Sequence, residues 1–556
     1  MTRRNTLLCA VVLAGIGLRA LGIAWGLPDR VAAGEPPFHP DEFVPYVESA
    51  RLYSDPRGTT FIWGGGFYMR LAWLARSLAE PLASGLGDTL GAAAPGARLS
   101  GYAATLLCLR LLNTLLALAT ACCAGIVARD LAGARVGLGA FALSLLFPGP
   151  VLDAHFARPD VLMSSACGAC LALSLRAARS GAARALCGAG IACGVGCATM
   201  LSGLVGLAPL GWAALEMARR PGARHSSLPT RVLAHAAIAL AGISIGYLVC
   251  NTEALLDPAA FQAGLGIAFS SHQGGAWAFP SRLLSYVPLH AFGVPGALAA
   301  AVGALWLAAR GPAGSGVVLA HLIFGAVLLG RVGFDMMRHL EFVAAPIAAV
   351  AALGIAQCGG WIARASGASE TRTAACLWGA VAIFTMQLSL GLVLPMQIDE
   401  DARYRAGRWL AENAPPGSRV GITSSFAGDQ SYSPRLPIPA DLRGEALPLR
   451  PEVDARGFLS RDLDFIATTD YARDRARGDS ARRFQRELFE EGRYSRVFSA
   501  APSFGPPLLL TDLLTDRKPA DLSYTRATFF VFQRKAAEAV RGGAASPVPE
   551  TSKPRP

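Results

Sequence analysis

Long apolar runs separated by short, arginine-rich segments occupy the first 394 residues of the chain. A transmembrane helix needs about 20 apolar residues. Runs of suitable length lie at 5–26, 102–128, 135–152, 160–178, 184–199, 201–217, 231–250, 287–309, 315–331, 340–358 and 373–394. The pattern predicts about eleven transmembrane helices. The first run carries Arg19 and lacks a small-residue cleavage site, so we interpret it as a retained helix and not as a signal peptide.

Residues 395–535 have a different pattern, which is typical of a soluble α/β domain. We predict helices at 401–413 and 479–491 and strands at 419–423, 465–468 and 528–533. Residues 536–556 are rich in Gly, Ala, Ser and Pro and predict a disordered tail. The expected fold class is an α-helical polytopic membrane protein (residues 1–394) with a C-terminal soluble α/β domain (395–535).

The loop charges predict the orientation of the helices. With the N-terminus on the cytoplasmic side, the arginine-rich short loops all fall on the inner side, as the positive-inside rule requires. The segment 61–82 carries Arg70, Arg76 and Glu80 at spacings that leave one apolar face, which favours an amphipathic helix in the outer interface over a further span. The first loop (27–101) and the C-terminal domain are then expected on the outer face.

Composition supports a membrane protein. The 556 residues are 53% hydrophobic and only 16% charged, whereas soluble domains carry about 25% charged residues. These values exclude wholesale disorder and a coiled coil. The net charge of +12 lies mainly in the short loops before residue 395, so nucleic acid is not indicated as a partner. The scarcity of lysine beside abundant arginine is typical of a GC-rich bacterial genome, and the bacterial inner membrane is the expected location.

The first outer loop contains the acidic motif His39-Pro40-Asp41-Glu42. Proline at the start of a helix followed by carboxylates is a common way to begin a helix. Alternatively, adjacent carboxylates beside a histidine could supply a general base or a cation ligand. The motif by itself leaves both interpretations open.

A second acidic cluster lies in the next outer loop and contains Asp153, His155, Arg158 and Asp160. Asp160 could simply start the fourth helix, and Arg158 could pair with Asp153. The predicted topology nevertheless places both clusters on the same membrane face. Convergence of several ionisable groups there indicates a functional site more than helix capping alone.

An ordered set of motifs resembles the polytopic GT-C glycosyltransferases, specifically the bacterial relatives of protein O-mannosyltransferases and aminoarabinose lipid A transferases. The matching residues are Arg19, Gly26-Leu27-Pro28, FHPDE (38–42), RLLN (110–113), HFARPD (155–160), NTEALLDPAAF (251–261), Arg338-His339-Leu340 and RAGRWLAENAPPGSRV (405–420). Together they cover most of the chain in order.

The resemblance implies an inverting transfer of a sugar from a polyprenyl-phosphate donor to an extracytoplasmic acceptor of unknown identity. It implies that Asp41 deprotonates or orients the acceptor hydroxyl with Glu42 as its partner, because a sugar hydroxyl is a poor nucleophile without a base. The remaining site residues that it implies are His39, Asp153, His155, Arg158, Asp160, His272, Arg331, Arg338 and His339. The arginines and His339 are the candidates for the phosphate, and a divalent metal ion could lie near Asp41 and Glu42.

Two departures from the family limit these expectations. The meeting point of the fifth and sixth runs (198–203) lacks a lysine that relatives often carry. The C-terminal part does not resemble the β-trefoil module of eukaryotic protein O-mannosyltransferases.

Two other classes of function remain open. A transporter or lipid flippase could have this size, although no inverted repeat is visible. Donor-dependent uptake into vesicles that is indifferent to Asp41 would favour it. A non-catalytic membrane scaffold would use the acidic motif for capping only, and partner capture by residues 397–535 would favour that function.

Overall fold

The computed structural model describes most of the chain. The described residues are 3–27, 40–54, 66–93, 101–220, 227–259, 261–263, 266, 286–329, 337–396, 401–424, 436, 438–448, 456–459, 461–470, 479–490, 493–501 and 528–535. They form two compact units, one ending at Met396 and the other beginning at Asp401. The predicted tail at 536–556 lies outside the described residues.

The first unit is built from helices. Its α-helices are α1 (Arg3–Ala20), α2 (Phe43–Ser54), α3 (Phe67–Ala93), α4 (Gly101–Ala132), α5 (Ala134–Leu146), α6 (Pro148–Asp153), α7 (Asp160–Ser180), α8 (Ala183–Thr199), α9 (Leu207–Arg219), α10 (Leu228–Cys250), α11 (Glu253–Leu256), α12 (Tyr286–Phe292), α13 (Val294–Arg310), α14 (Ser315–Leu329), α15 (Ala344–Ser366) and α16 (Glu370–Val393). Short 3-10 turns cover Pro40–Glu42, Leu201–Gly206, Met337–Val343 and Leu394–Met396.

The helices of this unit agree with a protein that crosses a membrane several times. Six segments of the described chain are long and apolar enough to span a bilayer, namely 101–132, 160–180, 201–219, 228–250, 337–366 and 370–396. The helices α12 and α13 pass the same test together but are bent by 103°. Four shorter apolar helices lie at 10–20, 134–146, 183–199 and 315–329 and coincide with further predicted runs. The chain is therefore a multi-pass membrane protein, and the count of eleven spans remains a prediction.

Two of the predicted runs are interrupted in the structure, and each break has a local cause. The run at 135–152 divides at Phe147, whose backbone is extended (φ −62°, ψ 131°) ahead of Pro148 at the start of α6. Proline disfavours helical geometry at the residue before it, so the break follows from the sequence. The run at 287–309 bends at Gly293, which has a φ of 71°. Glycine adopts this left-handed conformation at little cost.

Two helix pairs approach so closely that glycine is required at the contact. Gly190 of α8 and Gly242 of α10 face each other, and a Cβ built on either would lie 3.1 Å from the Cα of the other. Gly303 of α13 and Gly354 of α15 form a similar pair, because a Cβ on either would overlap a carbonyl oxygen of the opposite helix. The hydrophobic effect does not drive helices together in lipid. Close contact of this kind therefore supplies the van der Waals energy that holds the helices together.

The second unit contains a five-stranded mixed sheet. Its elements are α17 (Ala402–Asn413), β1 (Arg419–Ser424), β2 (Arg443–Pro448), α18 (Arg456–Leu459), β3 (Phe465–Thr469), α19 (Asp479–Glu490), β4 (Tyr494–Ala500) and β5 (Phe529–Arg534). The strand order is β2-β1-β3-β5-β4. The strand β1 runs parallel to both β2 and β3, whereas β5 is antiparallel to β3 and β4.

The sheet is covered on both faces. On one face, Ala406 and Leu410 of α17 join a core with Val420 and Phe465. On the other face, Phe484 and Leu488 of α19 join a core with Ile466 of β3 and with Phe530 and Phe532 of β5. The helices predicted at 401–413 and 479–491 and the strands predicted at 419–423, 465–468 and 528–533 are present with ends within about one residue, whereas β2 and β4 were not predicted.

Candidate functional site

The Arg158 guanidinium lies among three carboxyl groups, two from its own acidic cluster (Asp153 and Asp160) and one from the motif at 39–42 (Asp41). Its Nη2 donates a hydrogen bond to Oδ1 of Asp153. Its Nε lies 3.8 Å from Oδ2 of Asp160, and its Nη1 lies 3.9 Å from Oδ2 of Asp41. The local Asp153–Arg158 pair considered from the sequence is therefore present. The same guanidinium also brings the two predicted acidic clusters together.

Arg338 forms a second ion pair with Asp41, through a hydrogen bond from Nη1 to Oδ2. The Asp41 side chain is 14% exposed and that of Arg338 is 19% exposed. The side chains of Arg158, Asp153 and Asp160 are only 1%, 3% and 7% exposed. Asp41 and Arg338 therefore form the accessible part of this charged cluster, and the other three groups lie behind them.

The loop that carries Arg158 is held by Asn113 of α4. The Nδ2 of Asn113 donates hydrogen bonds to the carbonyl oxygens of Phe156 (2.6 Å) and Arg158 (3.0 Å). The hydroxyl of Tyr68 lies 3.5 Å from Oδ1 of the same amide, and burial raises the pKa of Tyr68. The Arg158 guanidinium carbon also lies 4.9 Å from the centre of the Phe156 ring, a cation–π contact. The RLLN motif thus positions the loop backbone.

Glu42 is adjacent to Asp41 in sequence but has a different environment. Its carboxylate accepts hydrogen bonds from Nε (2.8 Å) and Nη2 (2.7 Å) of Arg110, and both side chains are fully buried. The backbone N–H of Ala157 donates to the same carboxylate at 2.7 Å. The Nη1 of Arg110 donates to the carbonyl oxygens of Ile23 (2.6 Å) and Trp25 (2.8 Å). Glu42 therefore joins three segments of the chain and is turned away from the accessible pair.

His155 is buried and lies between two carbonyl groups. Its Nδ1 is 2.8 Å from the oxygen of Val151, and its Nε2 is 2.7 Å from the oxygen of Leu21. Burial lowers the pKa of His155 to about 4, although both carbonyl contacts act in the opposite direction. At neutral pH the imidazole is therefore neutral, and it can donate a hydrogen bond to only one of these two carbonyl oxygens at a time.

Glu341 was missed by the sequence reasoning. It lies on the same 3-10 turn as Arg338, is 3% exposed, and lies near the side chains of Asp153 and Asp160. The signal in the sequence is its spacing of three positions from Arg338, because side chains three positions apart on a 3-10 turn lie on the same side. The motif considered from the sequence, Arg338-His339-Leu340, ends one residue before it.

The other residues that the sequence motifs singled out lie outside the described residues or are partly or fully buried. His39, His272 and Arg331 lie outside the described residues. His339 is partly buried beside Arg338. Arg19 is fully buried in the helical bundle, where its Nη1 donates to the carbonyl oxygens of Gly15 (2.9 Å) and Leu145 (2.8 Å).

The described carboxyl groups of this region do not form a set suited to a divalent metal ion. In the described part of the chain, no group of three or more His, Cys, Asp or Glu side chains is arranged to hold one. The carboxylates of Asp41, Glu42 and Asp153 are each bound by a guanidinium group.

Several solved structures are similar to the chain. The oligosaccharyltransferase of Archaeoglobus fulgidus in its apo form shows 14% sequence identity and a TM-score of 0.49, with 89% of this chain and 73% of that chain covered. ArnT from Cupriavidus metallidurans bound to undecaprenyl phosphate shows 13% identity and a TM-score of 0.48, with 95% and 98% covered. AglB from Archaeoglobus fulgidus in complex with an inhibitory peptide and a dolichol-phosphate shows 14% identity and a TM-score of 0.46, with 93% and 77% covered. No family model and no curated protein matches the sequence.

Proposed function

We propose that this protein is an inverting glycosyltransferase of the bacterial inner membrane. It would move a sugar from a polyprenyl-phosphate donor to a lipid, glycan or protein acceptor at the outer face. In this proposal the N-terminus is cytoplasmic, about eleven helices cross the membrane, and the C-terminal α/β unit is extracytoplasmic. The proposal is supported by the ordered sequence motifs. The observation that carries it is the accessible Asp41–Arg338 pair, which lies over a buried charged network.

Asp41 and Arg338 provide the two chemical functions that this transfer needs. The acceptor hydroxyl oxygen attacks the anomeric carbon, and the bond from that carbon to the phosphate oxygen breaks. The hydroxyl proton passes to the Asp41 carboxylate, and polyprenyl phosphate leaves with the electron pair. Arg338 stabilises the departing phosphate through its guanidinium fork. When the donor phosphate occupies Arg338, the carboxylate that Arg338 held becomes available to the acceptor.

The buried groups around this pair serve as its support. Arg158 faces Asp41 from behind at 3.9 Å and is itself held by Asp153. Glu42 is saturated by hydrogen bonds from Arg110 and Ala157, so we assign it a positioning role in place of the catalytic role expected from the sequence. Groups held in this way keep a reacting side chain within the narrow range of positions that catalysis requires.

The experiment that tests the function is transfer from a panel of polyprenyl-phosphate sugars by the purified full-length protein. The wild type is expected to turn over one donor, and Asp41→Asn to abolish transfer, because an amide cannot accept the proton. Asp462→Asn is the matched control, since this carboxylate is 81% exposed and belongs to the other unit. Transfer by Asp41→Asn at the wild-type rate would contradict the assigned base.

Donor binding tests the assignment of Arg338 separately. Arg338→Lys retains the positive charge but loses the planar fork, so we expect donor affinity to fall roughly tenfold. Binding can be measured by competition with a fluorescent polyprenyl phosphate, which requires no acceptor. Unchanged affinity of the Lys variant would show that the phosphate lies elsewhere. A wild-type protein that binds no polyprenyl-phosphate sugar would contradict the proposed function as a whole.

A further inference from the structure

The 3-10 turn that carries Arg338 is bound by two buried side chains from different helices. The Oγ of Ser164 in α7 donates a hydrogen bond to the carbonyl oxygen of Glu341 at 2.7 Å. The Nε2 of His321 in α14 lies 2.8 Å from the carbonyl oxygen of Phe342. A carbonyl oxygen can only accept, so this nitrogen carries a proton and donates it to the hydrogen bond. Two consecutive carbonyl groups of the turn are thus held by separate helices.

The helix α14 also packs directly on this turn. A Cβ built on Gly325 would lie 2.6 Å from Cγ1 of Val343 and 3.2 Å from Cε2 of Phe342. Gly325 follows His321 by four positions, and residues four apart on a helix lie on the same side. The side of α14 that carries His321 is therefore in close contact with the end of the turn.

The hydrogen bond of His321 is a more specific feature than the packing of its ring. Within the described part of the chain, its Nδ1 is buried and has no hydrogen-bond partner. A buried polar atom without a partner is unfavourable, and an apolar side chain of similar size would avoid this cost. The bond from Nε2 to the turn is therefore what a histidine adds at this position.

The helix α7 connects the turn to the other arginine at Asp41. It begins at Asp160, whose Oδ2 lies 3.8 Å from Nε of Arg158. Ser164 lies one helical turn further along, on the same side of α7. The Nη1 of Arg158 lies 3.9 Å from Oδ2 of Asp41, and Arg338 donates a hydrogen bond to the same oxygen. The first two turns of α7 therefore contact both segments whose guanidinium groups meet at Asp41.

We propose that Ser164 and His321 are positioning residues, which hold the turn so that Arg338 can bind the donor phosphate with both arms of its guanidinium fork. The inference rests on the proposed function. A fork that binds two phosphate oxygens needs a defined plane and distance, and a small displacement of the turn would break one of the two bonds. Ser164 and His321 act through the backbone of the turn.

Donor binding tests this role by competition with the fluorescent polyprenyl phosphate. Ser164→Ala and His321→Phe each lose one hydrogen bond to the turn and are expected to lower donor affinity about 3- to 10-fold. His321→Gln keeps an N–H group near the position of Nε2, so its affinity should stay within about twofold of the wild type. Equal affinities of the Phe and Gln variants would overturn the proposal.

Ser165→Ala is the matched control. Ser165 is the next residue of α7 and donates a hydrogen bond of the same kind to the carbonyl oxygen of Leu116, at 2.6 Å, and not to the turn. Its substitution should leave donor affinity unchanged within about twofold. A loss as large as that of Ser164→Ala would overturn the proposal, because it would show that any hydroxyl of α7 has this effect.

A double substitution tests whether Ser164 acts through Arg338. Arg338→Gln has no guanidinium group to position, so adding Ser164→Ala should change donor affinity by less than about twofold. A merely structural role of Ser164 would lower affinity in both backgrounds by the same factor. That result would overturn the proposal.

Amide hydrogen exchange of residues 337–343 tests the position of the turn without any donor. Exchange is expected to be faster in Ser164→Ala and His321→Phe than in the wild type, and unchanged in Ser165→Ala. Unchanged exchange in Ser164→Ala, which removes a single oxygen atom, would overturn the proposal even if the Phe variant failed to fold. Faster exchange together with a wild type that binds no polyprenyl phosphate would contradict only the proposed transferase function.

Discussion

Glu42 and Arg110, which are 68 positions apart in sequence, form a two-point ion pair that is fully buried. The pair joins the acidic motif to α4, to the turn after α1, and to the loop that carries Arg158. Adjacent residues of the motif therefore have separate tasks. Asp41 faces the accessible side of the cluster, and Glu42 attaches the turn that presents it.

Breaking the buried pair is expected to destabilise the protein strongly. Glu42→Gln and Arg110→Met each leave one buried group without its partner, at a cost of about 3–5 kcal/mol. A double-mutant cycle on thermal unfolding in detergent should show that the two losses are far from additive. Arg129→Gln removes a partly exposed pair with Asp130 and should cost no more than about 1 kcal/mol. Additive losses would mean that the two side chains act independently.

Asn113→Ala is expected to release the loop that holds Arg158. The two hydrogen bonds that Asn113 donates to loop carbonyls are lost, with a cost of about 2 kcal/mol in unfolding free energy. Since Arg158 faces Asp41, transfer should also fall at least about tenfold. Asn413→Ala is the control, because its amide donates to a carbonyl on an exposed helix surface. Normal transfer by the Asn113 variant would show that the loop holds its shape without this amide.

Stability is expected to fall with acidification through His155. Its pKa is lowered to about 4 by burial, whereas an unfolded histidine titrates near 6.5. Between these values the unfolded chain binds a proton that the folded protein excludes, so stability decreases as the pH falls from about 6.5 to about 4. The decrease amounts to about 3 kcal/mol. The stability difference between wild type and His155→Gln should therefore shrink from pH 7 to pH 5, and a constant difference would argue against a neutral buried imidazole.

The contact between α8 and α10 should not tolerate a methyl group. A Cβ on Gly242 would lie 3.1 Å from the Cα of Gly190 and would overlap the carbonyl oxygen of Cys187. Gly242→Ala must separate the helices, which costs about 1–3 kcal/mol and should appear as a lower unfolding temperature. Gly211→Ala in α9 is the control, because no atom lies within 4 Å of the added carbon. Equal effects of the two substitutions would show that helix propensity matters more than this contact.

Apolar periodicity and local charge were sufficient to predict many of the helices and strands. Both patterns are formed by residues that are close in sequence, so they can be recognised without the structure. The helices α4, α7 and α10 correspond to uninterrupted apolar runs. The sequence pattern did not predict the strands β2 and β4, and each omission has a local reason. β2 contains Gly444 and ends at Pro448, and β4 has an irregular register between Arg496 and Phe498 that interrupts the alternation of buried and exposed positions.

The candidate site could be predicted only in part. The proximity of Asp41 to Arg158 was expected, because the topology rule places both loops on one face. The different environments of Asp41 and Glu42 depend on Arg110, which enters the site from a helix that begins far along the chain. Glu341 lies in an apolar stretch near two other acids, Asp153 and Asp160, a proximity that no rule of charge complementarity would suggest.

The sharp bend at Gly293 also limits how the length of this region can change. The chain turns by 103° between α12 and α13 without an intervening loop, and Ala291 lies against the backbone of α6 at Gly149. Inserting or deleting one residue in α12 would rotate its contact face by about 100° and remove Ala291 from α6. We therefore expect natural length variation among homologues to avoid this bend, and tags or reporter domains are better placed elsewhere in the chain.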